Sequence, residues 1–358
     1  MIDASAAPYN INATVTDNAP VLGPLLQKAA ATGELVVLPP GEIKLASLLP
    51  PFSNLPMLNL LGQRTMLTYT GAAPGILFNM TNVAKFYTDG VFFEGNGNKG
   101  VTLVSQSLSG SPGGLTPTQW GFKRGGFEGA GVCFDVPGTP TPNNCDGTLF
   151  EQMTFTPAPG GRGWQCMNPN SLANTFLHCD MGGNNGGANG AAIEYSIYCG
   201  RGSFTTIGAQ FGGAGVGGAD IYINPDGPCA VRGGWSQNSY RHVMAPFRTV
   251  PISLTIEDIS ISSFPANWVA NNPNDAYAPI DLQATYAQRG AIYCDVQNGL
   301  GLRNVRLLDP IKWLPVYAVS VFVPAADALQ WTNERSYTTS APNGVYESQL
   351  FNQSGTVS

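Results

Sequence analysis

Hydrophobic and polar residues alternate with a period of two in short segments that recur along the middle of the chain. Each segment reads roughly apolar, any, apolar, any, small or polar, apolar, any, apolar. The segments are Thr148–Phe155, Asn174–Met181, Phe204–Phe211, Cys229–Ser236 and Leu254–Ile261, with further copies at Phe86–Phe93 and Leu300–Leu307. A period of two puts alternate side chains on opposite sides of a strand, so each segment predicts β-structure.

The alternation breaks once inside each segment, where two residues stand together and one is often small or polar. Examples are Glu151-Gln152, Leu177-His178, Arg232-Gly233 and Glu257-Asp258. This is the pattern of a tight bend between two short strands. The sixth residues of successive segments, from Met153 to Ile259, are 26, 30, 25 and 25 positions apart. Two strands, a bend and a loop in about 25 residues predict one turn of a parallel β-solenoid, so the predicted fold class is all-β.

Residues at matching positions of the segments are alike, as expected where one turn stacks on the next. The first inward position holds Phe86, Thr148, Asn174, Phe204, Cys229, Leu254 and Leu300. Most inward positions are apolar, and Asn174 and Ser236 are the two that do not fit. On the outer face, Arg232 and Glu257 come from adjacent turns, where they are expected to form a surface ion pair.

A short amphipathic helix is predicted ahead of the solenoid. Asp17 or Asn18 can cap a helix that begins near Pro20, and Gly33 ends it. Its apolar face holds Val21, Leu22, Leu25, Leu26, Ala29 and Ala30. The first turn of a solenoid would otherwise expose an apolar end and a free strand edge, so we expect the helix to cover that end.

The helix is followed by the strand and turn VVLPPG at 36–41 and then by turns punctuated with Asn and Gly. In this order of elements the chain resembles the pectate-lyase-like right-handed parallel β-helix superfamily, in particular the tailspikes and related virion proteins of bacteriophages. The resemblance covers about residues 15–310. It implies a right-handed single-stranded parallel β-helix, a homotrimer and a place on the tail or capsid surface of a phage.

The pattern divides the chain into three parts. Residues 1–33 form an N-terminal arm and the cap helix, residues 34–309 the β-helix, and residues 310–358 a β-rich cap or oligomerisation segment. The β-helix has loop insertions near 105–146 and 265–290, and the first of them contains one further strand at 132–136. Long loops on a rigid scaffold are where binding is usually built.

Composition narrows the choice of partners. Charged residues are only 11% of the chain, 43% is hydrophobic and 44 residues are glycine, which suits a turn-rich β protein rather than a disordered one. The net charge of −6 argues against a nucleic-acid partner. The sequence has no run of about 20 apolar residues, so no membrane-spanning segment is predicted. The N-terminus has no signal-peptide pattern, so we expect export by particle assembly, by lysis or through a segment removed from this sequence.

The seven cysteines are Cys133, Cys145, Cys166, Cys179, Cys199, Cys229 and Cys294. Without a CxxC pair they do not predict a zinc site, and most are expected to be buried thiols. Cys133 and Cys145 flank a proline-rich loop and are the best disulfide candidates. The two histidines, His178 and His242, do not have metal-binding spacing, so no metal and no cofactor are expected.

One outward column of the predicted solenoid combines side chains that suit a sugar. In turn order it holds Phe92, Thr154, Asp180, Gln210, Trp235, Ser260 and Arg306. Since turns are about 4.8 Å apart, Asp180 and Trp235 would lie about 10 Å apart with Gln210 between them. An indole stacks on the apolar face of a sugar ring, and acid and amide groups bind its hydroxyls. The alternative is a solvated Asp180 and a subunit contact for Trp235.

Cleavage of a glycosidic bond usually needs two carboxylates that face it. The acidic residues near the central turns are Glu128, Asp135, Glu151, Asp180, Glu194, Asp220, Asp226, Glu257 and Asp258. From these we choose Asp180, Glu194 and Asp220 as catalytic candidates. The polar and aromatic stretch at 235–242 adds Asn238, Tyr240 and Arg241 as carbohydrate-binding candidates beside Gln210 and Trp235. The NTD, paired-Asp and GHG motifs of polygalacturonase-like hydrolases and the pectate-lyase motifs do not occur, so no catalytic residue is carried over.

Three functions remain open. The first is a virion tailspike or receptor-binding protein that contacts other virion proteins and recognises host surface polysaccharide, with or without cleaving it. The second is a non-enzymatic capsid decoration protein, a knob or cement. The third is a free polysaccharide lyase or hydrolase. A groove lined by acids and aromatics would favour the first or third, and a flat glycine-rich flank would favour the second.

Overall fold

This computed structural model describes residues 1–109, 115–138, 144–182, 192–237, 239, 242–245, 254–261, 292–294, 300–303, 305–307, 319–322, 345–348 and 356–357. Strands occupy most of this length and stack in parallel, turn upon turn, into a β-solenoid. One α-helix lies near the N-terminus within these residues. The predicted all-β parallel β-helix with an N-terminal helical cap is therefore confirmed.

The helix, α1 (Ala19–Thr32), begins and ends where the sequence predicts. The carboxylate of Asp17 accepts the backbone N–H of Ala19 at 3.0 Å, and Gly33 ends the helix with a left-handed φ of 72°. The side chains packed into the core are Leu22, Leu25, Leu26, Ala29 and Ala30. Val21 differs from the prediction, because it is 43% exposed.

The strands follow in chain order. The first are β1 (Ile2–Asp3), β2 (Leu35–Val37), β3 (Gly41–Leu45), β4 (Phe52–Tyr69), β5 (Gly75–Ser107), β6 (Gly121–Lys123) and β7 (Gly126–Val136). The central ones are β8 (Leu149–Glu151), β9 (Thr154–Thr156), β10 (Arg162–Cys166), β11 (Asn174–Leu177), β12 (Asp180–Gly182), β13 (Ile193–Cys199), β14 (Phe204–Ile207), β15 (Gln210–Gly212) and β16 (Ala214–Ile223). The last are β17 (Cys229–Arg232), β18 (Trp235–Gln237), β19 (Val243–Ala245), β20 (Leu254–Glu257), β21 (Ser260–Ile261), β22 (Ile292–Cys294), β23 (Leu300–Arg303), β24 (Val305–Leu307), β25 (Val319–Phe322), β26 (Val345–Ser348) and β27 (Thr356–Val357).

Each turn contributes strands to three parallel ladders. The first ladder is β2, β4, β5, β6, β8, β11, β14, β17, β20 and β23. The second is β3, β4, β5, β7, β9, β12, β15, β18, β21 and β24. The third is β5, β7, β10, β13, β16, β19, β22 and β25. The observed register matches the repeat in the sequence: Asn174 lies opposite Phe204, and Cys229 opposite Leu254.

The bend between the first and second ladders uses a left-handed backbone. Gln152, His178 and Asp258 have φ angles of 54°, 50° and 56°, and Gly208 and Gly233 occupy the same place in their turns. A residue with φ in this region bends the chain sharply, and residues other than glycine adopt it rarely. The predicted tight bend is confirmed.

The interior is built largely from aromatic rings that stack from turn to turn. Phe150 stacks on Phe122 and on Phe176 with ring centroids 5.3 and 4.9 Å apart. Asn174 fits this interior because its Nδ2 donates to the carbonyl oxygens of Ser171 and Ser203 at 3.1 and 3.0 Å. A buried amide is tolerated when it is hydrogen-bonded in this way.

A complete turn lies within the first predicted insertion. β6 and the start of β7 continue the first and second ladders, and Trp120, Phe122 and Phe127 are buried in the core. The strand predicted at 132–136 is the last part of β7. The repeat is hard to see here because its sixth position, apolar in most turns, is Gly125, where a Cβ would lie 1.9 Å from the carbonyl oxygen of the preceding turn.

The six cysteines with described side chains are free and buried, which confirms the predicted buried thiols. The predicted disulfide between Cys133 and Cys145 is wrong. The Sγ of Cys133 donates to the carbonyl oxygen of Phe127 at 3.3 Å, and the Sγ of Cys145 accepts from Asn168 Nδ2 at 3.5 Å. Each sulfur therefore contacts a polar group of the core other than the second sulfur.

At the far end, β26 pairs with β25 and β27 with β24, and both pairs are antiparallel. They belong to the segment predicted to be β-rich after residue 310. The predicted insertion near 265–290 lies outside the described residues. Among the residues that are described, no helix has the length and apolar character needed to cross a membrane.

Candidate functional site

The second ladder carries three exposed side chains in consecutive turns. Asp180 lies opposite Gln210, and Gln210 lies opposite Trp235. All three are exposed, and Trp235 is exposed by 43%. Because neighbouring turns are about 4.8 Å apart, the three side chains form a row about 10 Å long. An acid, an amide and an indole thus face solvent together in the register that the sequence predicts.

Bare backbone lies beside this row. Gly182 and Gly212 stand two residues after Asp180 and Gln210 and therefore face the same side of the ladder. Neither position has room for a side chain, since a Cβ at either would lie 2.6 Å from a carbonyl oxygen of the next turn. The positions next to the acid and the amide therefore carry no side chain that would cover them. We call Asp180, Gln210 and Trp235, with these two glycines, the shelf.

Two more carboxylates lie on the same face in the turns that precede the shelf. They belong to the row that contains the two glycines. Glu94 lies opposite Glu128, and Glu128 lies opposite Thr156. Partial burial raises the pKa of both carboxyls. The negative charge of Glu94 adds to the increase for Glu128, and that of Glu42 adds to the increase for Glu94. Their backbones are one turn apart, about 4.8 Å. The carboxylate of Glu94 accepts the backbone N–H of Asn96 at 2.7 Å, and that of Glu128 leans over Gly126. We call these two acids the carboxylate pair.

The ring of Phe92 accounts for part of the burial of the Glu128 carboxyl. Phe92 lies opposite Gly126, and a Cβ on Gly126 would lie 2.8 Å from Cδ1 of the ring and 3.2 Å from Oε1 of Glu128. The ring and the carboxylate therefore meet over the same glycine. Loss of water disfavours the charged form of an acid, as the raised pKa of Glu128 reflects.

The central turns of this face carry acidic groups. Partial burial also raises the pKa of Asp180. Between Met66 and Ser260, and between Thr68 and Gln237, the two rows hold no lysine or arginine. Basic residues stand at the ends of the rows, where Lys44 lies opposite Thr68 and Arg306 lies opposite Ser260. An acidic face of this kind suits neutral or cationic ligands better than anionic ones.

Glu194, a predicted catalytic residue, lies away from the shelf, next to the third ladder. Its two oxygens accept hydrogen bonds from Nε and Nη2 of Arg162 at 2.7 and 3.1 Å. Nη1 of Arg162 donates to Gln165 at 2.7 Å, and Gln165 donates to Asp135 at 2.9 Å. Burial raises the pKa of Asp135. This network joins three successive turns through side chains, and a bidentate arginine holds Glu194 in place.

The same arginine covers a stack of tyrosines. Its Cζ lies 4.1 Å from the centre of the Tyr198 ring, and Tyr198 stacks on Tyr222 with centroids 4.5 Å apart and planes 11° apart. Arg162 comes from the turn before Tyr198 and Tyr222 from the turn after. Both faces of the Tyr198 ring are thus covered, so the stack does not offer a sugar the open face that Trp235 offers.

Asp220, another predicted catalytic residue, is inside the solenoid with 0% exposure. Its carboxylate accepts hydrogen bonds from the hydroxyls of Ser236 and Ser239, and Nδ1 of His242 lies 2.9 Å from Oδ2. In β16, Asp220 stands between Ala219 and Ile221, which pair with Tyr195 and Ile197, so it is level with the buried Ser196 of the preceding turn. Asp220 has no surface with which to touch a polysaccharide, which corrects the expectation drawn from its place after a glycine-rich loop.

The remaining predicted binding residues, Asn238, Tyr240 and Arg241, lie outside the described residues. Glu128 is one of the nine acids near the central turns of the predicted solenoid, whereas Glu94 lies upstream of them. Their pairing depends on the turn around Trp120, which the repeat hides. Within the part of the chain that the structure describes, no group of three or more His, Cys, Asp or Glu residues could hold a metal ion.

No family model and no curated protein matches the chain. Among solved structures it is similar to ORF18 of Geobacillus virus E2, with a TM-score of 0.53 and 13% identity, over 86% of this chain and 61% of that one. It also aligns with the crystal structure of the Agl-KA catalytic domain, with a TM-score of 0.43 and 14% identity, over 86% of this chain and 54% of that one. The similarity to ORF18 is one of fold, and the chain spans less than two thirds of the length of either protein.

Proposed function

We propose that the protein is a phage tailspike or receptor-binding protein whose shelf binds a polysaccharide of the host cell surface. The observation that carries the proposal is the register of Asp180, Gln210 and Trp235 on one exposed face beside bare backbone. The indole offers a flat apolar surface to a sugar ring, and the acid and the amide bind its hydroxyls. A mere subunit contact for Trp235 would not require the amide and the glycines next to it.

The length of the face supports a polymer as the ligand. The shelf and the carboxylate pair occupy adjacent turns from Phe92 to Trp235 on one side of the second ladder. A repeating glycan that runs along the solenoid axis would meet these groups one after another. Each contact with a hydroxyl is weak, so several consecutive sugars are needed for useful affinity.

The place on a phage particle is part of the proposal. The fold is shared with ORF18, a protein of a Geobacillus virus, and spikes on a virion meet surface polysaccharide first. A homotrimer is proposed with it, because several copies of a weak site bind a repeating polymer far more tightly than one copy. Contacts with other virion proteins follow from the same role.

Binding of labelled envelope polysaccharide to the full chain tests the proposal. Trp235→Ala should weaken binding about tenfold or more, which corresponds to about 1.4 kcal/mol. Ile207→Ala is the matched control, since Ile207 is 38% exposed and belongs to the first ladder. An equal loss in both variants would contradict the shelf as the site. Wild-type protein that binds none of several envelope polysaccharides would contradict the role and favour a capsid knob or cement protein.

The carboxylate pair favours cleavage as a second function. Glu128, whose pKa is raised by burial and by Glu94, would protonate the glycosidic oxygen as its bond to the sugar carbon breaks. Glu94 would act as the carboxylate that attacks the sugar carbon or takes a proton from water. One water is consumed for each bond broken, and two shorter chains are released.

Sizing the polysaccharide before and after incubation tests cleavage separately from binding. Glu128→Gln and Glu94→Gln should each leave the chains at full length while binding persists. Glu151→Gln, which removes a surface ion pair with Lys123, is the control and should cleave like wild type. Full-length chains after incubation with wild-type protein would restrict the function to binding.

A further inference from the structure

We propose that a second site, separate from the shelf, binds an uncharged sugar in a groove beside Tyr87 on the first ladder. The groove has a volume of about 490 Å³. Small-ligand sites usually measure about 300–1,000 Å³. It is built by β2, β4, β5, β6 and β8, on a different ladder from the shelf and closer to the N-terminus. Its occupancy does not depend on what the shelf binds.

The groove exists because one residue in an outward row has no side chain. The row runs through Leu35, Asn59, Tyr87, Gly121 and Leu149 in successive turns. The Tyr87 ring leans over Gly121, where a Cβ would lie 2.9 Å from Cδ1 of the ring. Tyr87 is nevertheless 39% exposed, one of the most exposed large apolar side chains that the structure describes. The row therefore has an aromatic wall on one side of the gap and Leu149 on the other.

Two side-chain amides line the groove and can still bind a ligand. Oε1 of Gln119 accepts a hydrogen bond from Lys85 at 2.8 Å, and its Nε2 donates to no group among the described residues. The amide of Asn59 likewise makes no side-chain hydrogen bond within the described part of the chain. An amide can donate to one hydroxyl and accept from another. The combination of aromatic ring and open amides is the one that binds sugars.

Charged groups at the groove are already neutralised by neighbours. Nζ of Lys123 lies 2.7 Å from a carboxylate oxygen of Glu151, and Nε of Arg124 donates to Asp89 at 2.8 Å. The charged residues that line the groove, Lys123 and Asp89, are thus paired within the protein, and the nearby ammonium of Lys85 is held by Thr118 and Gln119 without lining the groove. This pairing favours an uncharged ligand. A wholly apolar segment would strip water from the two amides without replacing their hydrogen bonds. A sugar ring meets both needs, with C–H groups for Tyr87 and hydroxyls for the amides.

Titration of the full chain with neutral oligosaccharides tests this site. Maltohexaose, cellohexaose and N-acetylchitohexaose serve as probes, followed by isothermal titration and by saturation-transfer NMR up to about 10 mM, where weak aromatic sugar contacts are measurable. Tyr87→Ala should weaken binding of the preferred probe about tenfold. Ile207→Ala removes a side chain of similar exposure from the same ladder outside the groove, and Trp235→Ala removes the shelf. Thermal unfolding confirms that each variant is folded.

The outcomes separate the two sites. Loss of binding in Tyr87→Ala, with Trp235→Ala and Ile207→Ala unaffected, supports the groove even if the shelf binds nothing. Loss in Trp235→Ala alone overturns the groove and leaves the shelf. The absence of binding by wild-type protein to all three probes overturns it as well. Self-association that disappears in Tyr87→Ala would assign the groove to a contact between copies of the chain and likewise overturn the proposal.

Discussion

Oδ2 of Asp220 and Nδ1 of His242 lie 2.9 Å apart in the middle of the solenoid, and neither residue has any exposed surface. The hydroxyls of Ser236 and Ser239 donate to the same carboxylate. A buried carboxylate is costly unless it is hydrogen-bonded, so these contacts are what allow the residue to stay inside. They also tie the third-ladder strand β16 to the second-ladder strand β18 and to the start of β19.

Asp220→Ala should destabilise the protein strongly without touching the shelf. The substitution takes an acceptor away from a buried imidazole and two buried hydroxyls, and each buried donor that is left unsatisfied costs about 1–3 kcal/mol in the free energy of unfolding. Glu151→Gln breaks an exposed pair with Lys123 and should cost about 1 kcal/mol or less. Urea unfolding followed by circular dichroism measures both. A loss no larger than that of the control would contradict a stabilising role for the buried cluster.

The shelf could be predicted because its residues belong to the repeat. Asp180, Gln210 and Trp235 sit at the same place in their eight-residue segments, and a period of two fixes which side of the strand each faces. Neighbouring turns then bring them together without any knowledge of the loops. The same logic predicted the pair of Arg232 and Glu257, whose Nε and Oε1 are 2.9 Å apart.

The third ladder could not be predicted in this way. Variable loops separate its strands from the repeat, so the sequence does not fix which residues face inward. Asp220 therefore turned out to be buried, and the binding of Glu194 by Arg162 was not foreseen. The carboxylate pair was missed for a different reason. The turn between Glu94 and the next segment has Gly125 where most turns have an apolar residue, so the pattern does not reveal its register.

Gly234→Ala should be much more destabilising than Gly160→Ala. Both glycines have a left-handed φ, 93° and 74°, which costs a residue with a side chain about 1–2 kcal/mol. A Cβ at Gly160 would meet nothing within 4 Å, whereas a Cβ at Gly234 would lie 1.9 Å from the carbonyl oxygen of Ala209. We expect about 3 kcal/mol or more for Gly234→Ala, measured by urea unfolding. Equal losses would mean that the turns are not packed this closely.

Thiol labelling should be slow in the folded protein. Burial raises the pKa of Cys145, Cys166 and Cys179 to about 12, and only the thiolate reacts with iodoacetamide. At pH 8 the native chain should therefore take up label at no more than one site, Cys294, whose side chain lies outside the described residues. All seven should react in urea. Mass spectrometry counts the labels, and rapid labelling of two or more thiols in the native protein would contradict the buried positions.

Glu128→Gln should change how stability depends on pH. Burial and the charge of Glu94 raise the folded-state pKa of Glu128, so the folded protein holds this proton more tightly than the unfolded chain. The contribution of this carboxyl to the free energy of unfolding is fully present below its pKa in the unfolded chain, about 4.3. It is lost as the pH rises through its pKa in the folded protein. The variant lacks this titrating group. Between acid and neutral pH its free energy of unfolding should therefore increase by up to about 1 kcal/mol relative to that of wild type. A difference in the free energy of unfolding between variant and wild type that stays constant over this pH range would refute the raised pKa of Glu128.

The shelf should discriminate between glycans by charge. Its central turns carry Asp180 and the carboxylate pair, and the nearest basic residues of the described rows, Lys44 and Arg306, stand beyond Thr68 and Ser260 at the ends, so a uronate-containing polysaccharide should bind more weakly than a neutral one of similar backbone. The difference should shrink as salt rises from 0.01 to 0.15 M, because the Debye length falls from about 30 to 8 Å. Asp180→Asn should also reduce this difference in affinity, because it removes the negative charge. Acid pH should do the same, since the raised pKa of Asp180 means that its carboxylate takes up a proton at a less acidic pH. Affinity electrophoresis at two salt concentrations measures all three effects, and tighter binding of the uronate polymer would contradict repulsion by this face.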